Sequence, residues 1–129
     1  MPAETILIID DDPICVTVTN LALRQAGFST RTATDGMEAL DLLQFFQPDL
    51  ILSDIQMPNM DGFELARRTR QISRLRDTPM IALTAFASAD AEQRAYDAGF
   101  TAYITKPVSG GTLAAYVRRF MKRPFAPCA

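Results

Sequence analysis

Three acidic or basic landmarks and one hydroxyl stand at the ends of short apolar runs in this sequence. Asp10-Asp11-Asp12 follow ILII, Asp54 follows LILS, Thr84 follows MIAL and Lys106 follows AYIT. Carboxylates gathered at one place raise the energy of each other's ionised state. A hard divalent cation relieves that repulsion, and an all-oxygen ligand set suits Mg2+, which keeps several of its waters. Such an ion also spreads the negative charge of an incoming phosphoryl group. Asp54 is then the natural nucleophile, giving an acyl phosphate. Lys106 is a mobile point charge for one phosphoryl oxygen, and the Thr84 hydroxyl can donate to another.

Each residue taken alone has a plainer reading. Asp12 before Pro13 is first a helix cap. Asp10-Asp11 could be a solvated acidic turn, Asp54 a turn residue, Thr84 a cap or turn for the next helix, and Lys106 a surface charge. The joint placement outweighs these readings, because an acid pair, an acid, a hydroxyl and a lysine occur in order at the ends of four different strands.

The elements that must position them follow from the apolar pattern. Ile6–Ile9, Leu50–Leu52 and Met80–Leu83 are short continuous apolar runs, the signature of strands buried on both faces. Phe28–Ala33 alternates and reads as a second strand, and 101–104 as a short fifth. Helices are expected between them. The first starts at Asp12-Pro13, carries Ile14, Val18, Leu21 and Ala22 as its apolar stripe, and stops at Gly27. The second carries Ala39, Leu40, Leu43 and Phe46. The third begins near Asp61 and runs to about Arg74. The fourth, 87–98, has mostly alanine to bury. The fifth, 112–121, is expected to turn Leu113, Tyr116, Val117, Phe120 and Met121 inward. Five β-then-α units with helical crossovers predict an open parallel α/β sheet covered on both faces. In such sheets the ligand site lies beyond the carboxyl ends of the strands. With the order 2-1-3-4-5, strands one and three are neighbours and bring Asp10 and Asp11 within reach of Asp54.

The remaining composition narrows the class. A chain of 129 residues with 48% apolar content can build one core. The net charge of −2 implies no strong field for nucleic acid or membranes, and no run approaches membrane-spanning length. Two cysteines make no disulfide framework. Cys15 reads as a small apolar residue near a helix start and Cys128 as exposed. The absence of histidine removes histidine metal sites, Ser-His-Asp triads and any phosphohistidine donor within this chain. A cytoplasmic setting is expected.

In combination, ILIIDDDP, LILSDIQMPNMDGFEL, PMIALTA and AYITKP resemble the response-regulator receiver domain of two-component signalling, from Thr5 to about Lys122. The resemblance implies a flavodoxin-like (βα)5 doubly wound parallel sheet of order 2-1-3-4-5. It implies Asp54 as phosphoacceptor, Asp11 as a direct Mg2+ ligand, Asp10 acting through water, and the backbone carbonyl of Gln56 as a further ligand. Thr84 matches the switch hydroxyl, Tyr103 the switch aromatic and Lys106 the site lysine, with a cis bond to Pro107. Gln56 and Phe86 occupy positions that tune how long the phosphoryl group lasts. Val108 departs from the phenylalanine frequent after the Lys-Pro pair.

On this reading, residues 1–123 form the receiver and 124–129 a disordered tail. The domain is expected to be a switch and not a turnover enzyme. It would take its phosphoryl group from a histidine kinase or a histidine phosphotransfer protein. It would then present a changed surface of helix four, strand five and helix five, around Arg94, Asp97, Tyr103, Arg118 or Arg119, to a downstream protein, or relay the phosphate onward. The basic group Arg118, Arg119, Lys122 and Arg123 reads as a solvated helix end and not as a nucleic-acid patch. A stand-alone receiver is expected, with an excised piece of a hybrid kinase as the other form. The opposing reading is a haloacid-dehalogenase-like, Mg2+-dependent phosphatase built on Asp10 and Asp12. It leaves Asp54 unexplained and lacks a late acidic pair. A pseudo-receiver is opposed by the intact Asp54, Thr84 and Lys106.

Overall fold

The structure is a computed structural model that describes residues 4–121. Lys122, Arg123, Cys128 and the expected tail therefore lie outside the described residues. Five β-α units follow one another: β1 (Thr5–Ile9), α1 (Pro13–Gln25), β2 (Ser29–Ala33), α2 (Gly36–Leu43), β3 (Leu50–Ser53), α3 (Gly62–Arg70), β4 (Met80–Thr84), α4 (Ala89–Ala98), β5 (Ala102–Thr105) and α5 (Gly110–Met121). A single 3-10 turn, Ser73–Leu75, precedes β4. The five strands are parallel in the order β2-β1-β3-β4-β5, as expected.

Strand side chains alternate between two cores, as the pleat requires. Leu7, Ile9, Ile51, Met80 and Ala82 face α2, α3 and α4, where they meet Leu43, Phe63, Leu65 and Ala95. Ile6, Ile8, Leu50, Leu52, Ile81 and Leu83 face α1 and α5, where they meet Leu23, Leu113 and Val117. Each fully buried Ile or Leu contributes about 1.5–3 kcal/mol. The sheet is thus the rigid part from which the site projects. Register does the rest: Ile9 lies opposite Ser53 and Thr84 opposite Thr105. Asp10, Asp54 and Lys106 consequently leave three strands at one edge.

Several expectations need correction. The stripe Ile14, Val18 and Leu21 of α1 faces solvent, 74%, 62% and 57% exposed, and the helix buries Thr19 and Leu23 instead. The buried face lies one residue further round the helix and is less apolar. Tyr116 of α5 is exposed, and Ala114 takes the inward place. The third helix ends at Arg70 and not at Arg74. Both arginines turn inward onto backbone carbonyls, Arg74 onto those of Leu43 and Phe46. Cys15 is half-buried and donates its thiol to Asp12 Oδ2 at 3.3 Å, so it is a polar partner and not only a small apolar filler.

The β3-α3 loop is fixed by close approach. Gly62 N donates to Ile55 O at 2.7 Å, and a Cβ at position 62 would stand 2.5 Å from Asp54 O and 2.8 Å from Ile55 Cα. Backbone on both sides leaves no flexible atom to yield. Gly62→Ala is expected to cost about 1–3 kcal/mol, the range for forced overpacking. An unchanged midpoint in urea denaturation would contradict this reading of the loop.

Candidate functional site

The acidic residues are brought together by backbone pairing before any side chain is considered. Asp10 N donates to Ala33 O at 3.1 Å and Asp54 N to Ile9 O at 2.9 Å, which extends the ladder by one residue at each place. Asp12 leaves the cluster to cap α1, its Oδ1 accepting from Ile14 N at 3.0 Å. The Cys15 thiol and this backbone amide hold the Asp12 carboxyl below the usual carboxylate range. Asp10 is buried and accepts from Asp12 N at 3.0 Å. Asp54 Oδ1 accepts from Ile55 N at 2.6 Å and Gln56 N at 3.2 Å. These two amides aim one carboxylate oxygen and leave Oδ2 toward the pocket.

Carboxylate oxygens of Asp10, Asp11 and Asp54 lie within 4.8 Å of one another. Lys106 Nζ donates to Asp10 Oδ2 at 2.7 Å and to Asp54 Oδ2 at 3.3 Å. The lysine is placed by its own amide on Thr84 O, 2.8 Å away; its bond to Pro107 is cis, as expected. Burial opposes the ammonium charge, but the hydrogen bond to Asp10 and the charges of Asp54 and Asp10 outweigh it, and the Lys106 pKa is raised. Three carboxylates against one ammonium leave a formal charge of −2. A divalent, oxygen-seeking cation fits that charge and that donor set. The short reach between the three acids suits one ion.

Thr84 is fully buried, and its Oγ1 accepts from Phe86 N at 3.2 Å. It does not cap α4, since Ser88 does. Tyr103 donates its hydroxyl to Phe86 O. Burial, with the charges of Glu92 and Asp54, pushes the Tyr103 pKa up, so the hydroxyl stays a donor. Both expected switch side chains therefore meet on the backbone of one residue. Sequence reasoning missed that convergence, because backbone hydrogen bonds of a loop leave no mark on residue type.

Two depressions flank the pocket. A cleft of about 510 Å³ is lined by Asp11, Gln56, Met57, Phe63, Phe86 and Arg94, with Arg94 over the Phe63 ring at 4.4 Å. A second, about 220 Å³, runs between α1 and the start of α5 beside Lys106, lined by Ile14, Val18, Ala22, Pro107 and Val108. Arg118, expected on the α4-β5-α5 surface, instead lies over Phe28 at 5.9 Å and donates to Ala26 O at 3.3 Å, against α1. No described helix is long and apolar enough to cross a membrane.

Residues 6–118 match the response regulator receiver domain family. The chain is 36% identical over 118 residues to the DNA-binding dual master transcriptional regulator RpaA of Synechocystis, covering 92% of this chain and 49% of that one, so it spans about half the length of that relative. It is 37% identical over 106 residues to the polar-differentiation response regulator DivK of Brucella anthropi, covering 82% of this chain and 86% of that one. The receiver domain of a sensor histidine kinase from Pseudomonas aeruginosa, whose structure has a magnesium ion coordinated in the active site cleft, is 30% identical, with a TM-score of 0.87 over 94% of this chain and 99% of that one. With the sheet order, the acidic cluster and these likenesses in agreement, the chain belongs to the response regulator receiver domain family.

Proposed function

We propose that this domain carries a phosphoryl group on Asp54. The observation that bears most weight is the gathering of Asp10, Asp11 and Asp54 at one place, with the Lys106 ammonium on Asp10 and Asp54. Asp11 and Asp54, with the backbone carbonyl of Gln56, would hold Mg2+, and Asp10 would act through water. The bound ion would supply charge neutralisation to the transferring group. The residues of the chain do the rest. Asp54 Oδ2 attacks phosphorus as the P–N bond of the donor phosphohistidine breaks and its imidazole leaves with a proton from solvent, with Oδ1 held still by Ile55 N and Gln56 N. Lys106 leaves its bond to Asp54 for a phosphoryl oxygen, remaining tied to Asp10. Thr84 gives up Phe86 N and donates to another oxygen, and Tyr103 follows it by way of Phe86. The phosphatase reading loses support here, because the Asp12 carboxylate it needs is spent on the cap of α1.

Receiver domains take phosphoryl groups from histidine kinases, and the chain's own lack of histidine requires an outside donor. We propose a cytoplasmic setting for this domain, a histidine kinase or histidine phosphotransfer protein as that donor, and a protein as the downstream target. The exposed Ile14, Val18 and Leu21 beside the groove at Lys106 support a helical protein donor, since amphipathic helices dock on such faces. Val18→Glu is expected to slow transfer from a phosphohistidine protein about tenfold, the scale of one interface anchor, and to leave uptake from acetyl phosphate unchanged. Equal loss with both donors would place Val18 in the chemistry and sink the docking face. Uptake from neither donor in the wild type would sink the function itself.

A further inference from the structure

α4 is held very differently at its two ends. Its buried face is three alanines, Ala91, Ala95 and Ala98, which interlock little with α3 and β5. Midway, Arg94 lies over the Phe63 ring, a contact that tolerates sliding. At the N-terminal end the ties are exchangeable: Phe86 N is held by Thr84 Oγ1, Phe86 O by the Tyr103 hydroxyl, and the Phe86 side chain is 39% exposed. At the C-terminal end, Gly99 O accepts from Arg70 Nε at 3.0 Å and Nη2 at 2.8 Å. The two hydrogens of Arg70 Nη1 are shared among three carbonyls within reach, Leu75 O at 3.0 Å, Arg76 O at 3.1 Å and Thr78 O. One planar guanidinium thus binds the end of α3, the turn before β4 and the end of α4. Gly99, at φ 125°, is fitted against the arginine stem; a Cβ there would lie 2.7 Å from Arg70 Cγ. Phe100, 1% exposed, anchors the chain just beyond.

We infer that Arg70 is the fixed pivot of α4. It acts as a positioning residue that makes the helix a lever, with the Phe86 end swinging and the Gly99 end held. The inference rests on the reading that Thr84 and Tyr103 change partners when Asp54 is phosphorylated. A rigid helix rises about 1.5 Å per residue. Rotated about Gly99, Ala89 therefore moves about tenfold further than Ala98. Lysine cannot replace the fork, because a single ammonium does not span the glycine carbonyl and the turn together.

Amide NMR of the full chain, with and without Mg2+ and beryllofluoride, tests the pivot. In the wild type the changes are expected to be large at 86–91 and to fade by 98–100. Equal changes at both ends of α4 would overturn the proposal without any variant. In Arg70→Gln and Arg70→Lys the changes are expected to spread through Gly99 and Phe100, while beryllofluoride affinity stays within about twofold, as for independent sites. If Arg70 only stabilises the fold, the urea midpoint falls and the pattern along α4 stays as in the wild type; that result also overturns the pivot. A wild type that binds beryllofluoride at Asp54 with no change at 86–91 would overturn the switching reading beneath it.

Discussion

Asp54→Asn is expected to abolish phosphoryl uptake, a fall of about a thousandfold or more, as when an enzyme loses its nucleophile. Asparagine is the informative choice because its carbonyl can still accept from Ile55 N and Gln56 N, which now hold Asp54 Oδ1 at 2.6 and 3.2 Å. The loop then keeps its shape, and only the attacking oxygen and one negative charge are lost. Intact mass after exposure to acetyl phosphate with Mg2+ reads the result directly. Circular dichroism checks that the fold is intact. Retained uptake would mean that Asp10 or Asp11 is the acceptor, which the burial of Asp10 and its bond to Lys106 oppose.

The second large effect is expected from Lys106→Ala, and it has two readouts. The Asp10 and Asp54 side chains are only 7% and 12% exposed, so removing their shared ammonium leaves two carboxylates desolvated without a cationic partner. Breaking a fully buried pair costs about 3–5 kcal/mol. Here the open cleft admits water, and a loss of about 2–3 kcal/mol is expected, read as a lower urea midpoint in chelator. Mg2+ should restore more stability to the variant than to the wild type, because the ion then supplies charge that the lysine otherwise provides. Uptake of phosphate should fall about 10²- to 10³-fold, the usual effect of losing one preorganised charge at the transferring group. A variant with wild-type rate and wild-type metal dependence would remove Lys106 from the site.

The fold and the acidic cluster were legible because the same residues serve both. Short apolar runs that alternate with helical patterns read as internal parallel strands, and the polar residue that ends each run then emerges at the sheet edge. Asp10, Asp54, Thr84 and Lys106 were readable for that reason, and their meeting follows from strand order alone. The helices were less legible. Ile14, Val18 and Leu21 form the more apolar stripe of α1, and periodicity selects the stripe without saying whether it faces the sheet or a partner. Here Thr19 and Leu23 face inward. Arg70 and Arg74 left no signal in the sequence for their roles. Charged residues near a helix end read as solvated, yet both point at orphan carbonyls that only the tertiary fold brings near. The convergence of Thr84 and Tyr103 on Phe86 was invisible for the same reason.

The destination of the phosphoryl group is the decisive property of this domain. After incubation with acetyl phosphate and Mg2+, borohydride reduction and peptide mapping would locate the acyl phosphate. The expected result is one modified residue, Asp54, with no modification when the metal is chelated. Modification at Asp10 or Asp11, or equal labelling without metal, would contradict it.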